Sequence, residues 1–129
     1  MPKNRISRRR EAAAERQAGR CFYCDVLMCR VKPEEFAAKF ALNLLVVTRL
    51  SCTAEHLHAR QDGGGDSIAN IAAVCWLCNQ ARHRRKYPPD PEAFRLQVRK
   101  CVRAGGWHRK KVFQAGLLFR GSSAAGERE

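Results

Sequence analysis

Two pairs of cysteines, Cys21/Cys24 and Cys75/Cys78, each have two residues between them. Four thiolates offered as two such pairs can close a tetrahedral structural zinc site. The pairs are 50 residues apart, more than a compact zinc ribbon needs, so a whole subdomain must be looped out between two knuckles. A redox Cys-x-x-Cys is the competing reading, but it wants a βαβ context that this chain lacks. A third reading is plain buried thiols. Cys29, Cys52 and Cys101 have no paired spacing and read as small hydrophobes.

The looped-out segment holds the other reactive residues. Glu55 and His56 stand together, Gly63, Gly64 and Gly65 follow, and Asn70 lies 14 residues after His56. Asn79 comes directly after Cys78, and His83 lies four residues further, on the same face if residues 76–86 are helical. One groove then holds an acid, two histidines and an amide. Oxygen ligands with one imidazole suit Mg²⁺ or Mn²⁺, and more histidine favours a transition metal such as Ni²⁺. His58 is an extra histidine with no assigned role.

The pattern "EH…GGG…N…CxxCN…RH", with "CFYC" upstream, resembles the HNH endonucleases of the ββα-metal fold over about residues 15–87. The resemblance implies an α+β chain: a small ββα-metal (His-Me finger) core stapled by a four-cysteine zinc site, with flanking helices. It implies His56 as the base that activates water and Glu55 as a metal ligand. Asn70 would brace the glycine loop, and Asn79, His83 or both would complete the catalytic ion site. Two departures stand out. The acid is Glu rather than the commoner Asp, and Ala59 replaces a frequent proline.

These roles make chemical sense. A neutral histidine accepts a proton from water at cellular pH, and one divalent ion can stabilise both the developing charge and the leaving oxygen of a phosphodiester. Arg60, Arg82, Arg84, Arg85 and Lys86 are candidate phosphate contacts. The expected activity is metal-dependent hydrolysis of DNA, most simply duplex DNA. A non-catalytic zinc-ribbon module that binds nucleic acid is the alternative, and a protein-interaction zinc domain a third. The alternatives give no reason for Glu55-His56, Asn70 and Asn79/His83 at these spacings. A homodimer would cut both strands and a monomer would nick one; the sequence leaves both open.

Charge agrees with a polyanionic partner. The net charge is +13 over 129 residues, and it is uneven. Residues 1–20 hold seven basic residues against Glu11 and Glu15, and residues 81–112 hold eleven against Asp90 and Glu92. Basic arms flanking a near-neutral centre are an electrostatic footprint for nucleic acid. No apolar run approaches the ~20 residues a membrane helix needs, and no apolar region follows the basic start as in a signal peptide. The expected setting is cytoplasmic, without a membrane partner.

The elements that must position these residues follow from local patterns. Residues 1–19 read as a basic helix closed by Gly19, and 20–87 as the nuclease core with its knuckles. Pro33 with Glu34 and Glu35 opens a helix. "NLLVVTRLSCTAEH" should hold a strand ending near Glu55, "SIANIAAVC" a second, and "WLCNQARHRRKY" a helix stopped by Pro88. Residues 88–120 should hold a helix capped by Asp90 and opened by Pro91, with Phe94, Val98 and Cys101 or Val102 inward, then a docking strand within 107–120. Residues 121–129 are expected to be a disordered tail.

Overall fold

The computed structural model describes residues 4–59 and 63–118. In chain order the elements are α1 (Arg5–Arg16), α2 (Pro33–Phe40), α3 (Leu44–Arg49), β1 (Cys52–His56), a 3₁₀ turn (Ile68–Asn70), β2 (Ile71–Cys75), α4 (Trp76–His83), α5 (Pro91–Arg103) and α6 (Lys110–Gln114). β1 and β2 form a two-stranded antiparallel sheet in which Glu55 faces Ala72 and His56 faces Ile71. With α4 following directly, this is a small ββα unit, and the other helices surround it.

α1 starts because the Asn4 side chain accepts a hydrogen bond from the Ser7 N–H, and it ends at Gly19, whose φ is +78°. Ala13 and Ala14, fully buried, let the helix lie close against both strands. Gln17, one residue past α1, donates to the Ala73 carbonyl and accepts from the Ala73 N–H. Its amide satisfies the outer edge of β2 as a third strand would. All five residues of β2 are buried, so it needs cover on every side.

The long strand expected around Leu44 is a short strand preceded by a helix. Asn43 caps α3 by accepting from the Val46 N–H. That cap, and burial of Val46 and Val47 on the core side, outweigh the β preference of the valines. The docking strand expected in 107–120 is mostly the helical turn α6; among the described residues only Leu118 pairs in extended form, with Val26. The 119–120 end of that segment and the 121–129 tail lie outside the described residues.

α5 forms as its sequence dictates. The Asp90 side chain accepts from the Glu92 and Ala93 N–H groups, Pro91 is its first residue, and Phe94, Val98 and Val102 are buried while Cys101 is half-buried. Tyr23, Phe94, Leu50 and Ile71 are among the largest buried side chains of the core. No helix among the described residues is long and apolar enough to cross a membrane.

Candidate active site

The two knuckles meet. The sulfur atoms of Cys21, Cys24, Cys75 and Cys78 all lie within 4.8 Å of one another, and all four residues are buried. Sulfurs bound to one zinc at ~2.3 Å stand about 3.8 Å apart in a tetrahedron, and the Cys24–Cys75 pair lies at 3.8 Å. The cluster fits a zinc ion. Backbone N–H groups of Tyr23, Cys24 and Cys75 point at the Cys21 sulfur at 3.3–3.5 Å, as they do toward thiolates. Burial pushes Cys24 and Cys78 well above the ordinary thiol range. Burial also acts to raise Cys21, but hydrogen bonds from Cys24, Cys75 and Cys78 pull it well below. A dication among the four sulfurs would offset the cost of ionising buried thiols.

Two further donors close the cluster from the C-terminal side. The Trp107 indole N–H donates to the Cys78 sulfur at 3.3 Å, and His108 Nε2 lies 3.3 Å from the Cys24 sulfur. Burial lowers His108 to about 4, so the ring is neutral and its Nε2–H can donate. Trp107 reaches this position through a left-handed backbone, φ +76°.

Glu55 is the centre of the second cluster. Its carboxylate is buried and holds three partners. Tyr23 Oη donates to Oε2 at 2.8 Å, Arg82 Nη1 meets Oε2 at 2.6 Å, and His83 Nε2 lies 2.8 Å from Oε1. Burial, then the Glu55 charge, raises Tyr23 far above the usual phenol range, so it stays protonated and donates. Tyr23 occupies this place because it lies between the two ligands of the first knuckle. Arg99 of α5 holds that knuckle by donating to the Tyr23 and Phe22 carbonyls.

Arg82, expected at a phosphate, is instead buried, with its Nε on the Pro89 carbonyl and its Nη1 on Glu55. A run of arginines on a helix gives no hint that one of them turns inward. Asn79 turns its amide to β1 instead, donating to Thr53 Oγ1 at 3.0 Å and the Ala54 carbonyl at 3.4 Å, which ties α4 to the strand. His83 is half-exposed and leaves the Glu55–His83 pair open to solvent on one side. Two ligands at right angles on an ion at ~2.1 Å lie about 3 Å apart, close to the 2.8 Å seen here.

His56 is the other half of the site. Its Nε2 lies 2.8 Å from Asp66 Oδ1, with both side chains about a quarter exposed. An ionised carboxylate can only accept, so Nε2 carries the proton of the neutral ring and Nδ1 is left as the acceptor. Asp66 was not singled out by spacing; an acid closing a glycine loop ten residues after a histidine is the signal that was there to use.

The loop between them is built around Asn70. Its Oδ1 accepts from the His58 N–H, and its Nδ2 donates to the carbonyls of His58 and Gly65. His58 itself is exposed, and its backbone rather than its ring is engaged. A Cβ on Gly64 would collide with the His58 carbonyl oxygen, so the backbones approach where only glycine fits. Arg9 of α1 donates to the Asp66 carbonyl and secures the loop's far end. Arg84, Arg85 and Lys86 are exposed beyond α4, and Arg60 lies outside the described residues.

Residues 43–85 match the family model described as HNH endonuclease, a span that runs from the cap of α3 to just past His83. It takes in β1, the glycine loop, β2 and α4, the ββα unit that carries Glu55, His56, Cys75, Cys78 and His83, while Cys21, Tyr23 and Cys24 lie before it. No curated protein and no solved structure matches the chain.

Proposed function

We propose that this chain is a metal-dependent endonuclease of the HNH type that hydrolyses phosphodiester bonds of duplex DNA. The observation that supports the reading is that one ββα unit carries an aspartate-held histidine, His56, and, at the residue before it, the acid of a carboxylate–histidine pair with one open side. His56, held by Asp66, takes the proton from the attacking water at its free ring nitrogen. Glu55 Oε1 and His83 Nε2 would hold a divalent ion, Mg²⁺, Mn²⁺ or Ni²⁺, with Asn79 setting the angle of α4. When bound, that ion supplies charge stabilisation at the scissile phosphate and the leaving oxygen. Arg82 and Tyr23 hold Glu55 from behind, so that Oε1 alone turns toward the groove. Arg84, Arg85 and Lys86 neutralise neighbouring phosphates. The four cysteines hold structural zinc and set the frame.

Plasmid nicking with each ion, by wild type and His56→Ala, tests this. Cleavage by wild type that drops at least a hundredfold in His56→Ala, with folding and DNA binding retained, is the expected result. Binding without cleavage by either protein sinks the enzyme reading and leaves a zinc-ribbon binding module. Equal cleavage by both removes His56 from its role. The ratio of nicked to linear product reports whether one copy or a homodimer acts.

A further inference from the structure

The flank of α4 that faces away from Glu55 lines a second concavity. On α4, Asn79, Arg82 and His83 turn toward β1, whereas Leu77 and, just past the helix end, Arg84 lie on the opposite side, and Trp76 sits at the boundary between the two. There a cavity of about 360 Å³ opens between α4, the end of α3 and the 107–112 segment. Val46, Leu77 and Val112 line it together with Trp107 and His108, the two donors to the sulfur cluster, and Arg49, Arg84 and Arg109 surround them. No aspartate or glutamate lines it. Among the described residues none of these three arginines has an ion pair or side-chain hydrogen bond, although Arg82 and Arg99 nearby are both fully engaged. Trp76 is 37% exposed beside them, an indole left partly in water next to a cavity.

We propose that this cavity binds one unstacked nucleotide of single-stranded DNA, its base against the Trp76 indole and its flanking phosphates on Arg49, Arg84 and Arg109. The chemistry selects this occupant. Guanidinium groups without protein acceptors call for an anion, and phosphate accepts from them in two-pronged fashion. An acidic peptide would satisfy the arginines but give the indole no flat partner, whereas every base offers a π face. The size is at the small end for ligand sites, so it admits one base at a time. A base in a duplex is stacked on both faces and cannot enter; a base at a frayed end, a flap or a gap can.

Placement fits the same polynucleotide. Trp76 precedes His83 by seven residues on α4, about 10 Å along the helix at ~1.5 Å per residue, or about three steps of ~3.4 Å along a strand. A strand lying over the catalytic groove would thus present a nucleotide to the cavity a few positions from the cut. The choice of DNA rests on the nuclease reading; the cavity itself does not depend on cleavage.

Binding of the zinc-loaded full chain to fluorescent 12-nucleotide strands, without added Mg²⁺, tests the proposal apart from catalysis. A strand bearing bases should bind about tenfold more tightly than one of abasic residues, and Trp76→Ala should remove that advantage while Trp76→Phe keeps most of it. Circular dichroism and zinc content check that the variants fold. Arg49→Gln with Arg109→Gln should lower the slope of log affinity against log salt by roughly 1.4, about 0.7 for each lost phosphate contact. Equal binding of abasic and base-bearing strands, an unchanged Trp76→Ala, an unchanged salt slope, or binding of RNA but not DNA would each overturn it. If the chain cuts no DNA yet shows these effects, the nuclease reading fails and the cavity stands.

Discussion

Replacing Arg82 by methionine probes the arrangement most directly. The Arg82 and Glu55 side chains are only 9% and 3% exposed, and they meet at 2.6 Å. Methionine fills similar volume but leaves the Glu55 charge with Tyr23 and His83 alone. Removing one partner of a buried pair typically costs 3–5 kcal/mol, and with two donors remaining the lower end applies, about 3 kcal/mol. For a domain of this size that lowers the melting temperature by roughly 10 °C. The Arg82 Nε bond to the Pro89 carbonyl is lost as well, and a thermodynamic cycle separates the two effects. Neutralising the acid in Glu55→Gln should make Arg82→Met cheaper by about 2 kcal/mol, the coupling expected of side chains in direct contact. Thermal and urea melts of the zinc-loaded protein, wild type, both single variants and the double, give the number. A single-variant loss under about 1 kcal/mol would mean that the pair behaves like an exposed ion pair. Strict additivity in the cycle would mean that the loss lies in the Pro89 contact. Either result refutes the claim that Arg82 is there to hold Glu55.

Three other perturbations follow. Asp66→Asn should slow cleavage ten- to a hundredfold with DNA binding unchanged, because the amide no longer dictates which ring nitrogen of His56 carries the proton; an unchanged rate in single-turnover kinetics would remove Asp66 from the site. Gly64→Ala must push residue 64 away from the His58 carbonyl; we expect faster amide exchange at His58 and Asn70 and at least a tenfold loss of activity, and a crystal structure with the two backbones still in contact would contradict this. Removing the zinc with a strong chelator should unfold the region around both knuckles, since four buried thiols replace much of its core. His108→Ala and Trp107→Phe should speed that release, measured with a chromogenic zinc indicator, by about tenfold each; rates equal to wild type would make the two sulfur contacts incidental.

The sequence showed best what depends on residue spacing. Two Cys-x-x-Cys pairs imply one cluster whatever lies between them, and the cluster is there. α5 was visible as well, because Asp90-Pro91 caps and opens a helix by local chemistry. What spacing could not show is which way a side chain turns once helices pack. Arg82 sits in a basic run and looks like its neighbours, yet the α4 face it occupies is the one pressed on β1. Tyr23 is hidden inside a metal motif, where only the folded knuckle brings its hydroxyl to Glu55. α3 looks like strand in the sequence because Leu44–Val47 is apolar and ends in two β-branched valines, and the deciding residue is the polar Asn43 before it. Trp107 and His108 reach the cysteines across a loop with a left-handed turn, a contact no local pattern encodes.

The two clusters are mechanically one object. Cys21 and Cys24 bracket Tyr23, which holds Oε2 of Glu55. Cys78 lies on α4, and so do Asn79, Arg82 and His83, so the ligand and the residues that meet β1 turn together. Cys75 ends β2, whose partner strand carries Glu55 and His56. An ion on the four sulfurs therefore fixes the angle between α4 and the sheet, and with it the distance between His83 and Glu55. A two-stranded sheet is too small to set that angle by packing alone, which would be the physical reason for placing metal-binding cysteines on the strand and helix that carry the site. The geometry that Glu55 and His83 would offer to an ion then follows from the sulfur site, and losing the sulfur site should cost that geometry even where the rest of the core holds.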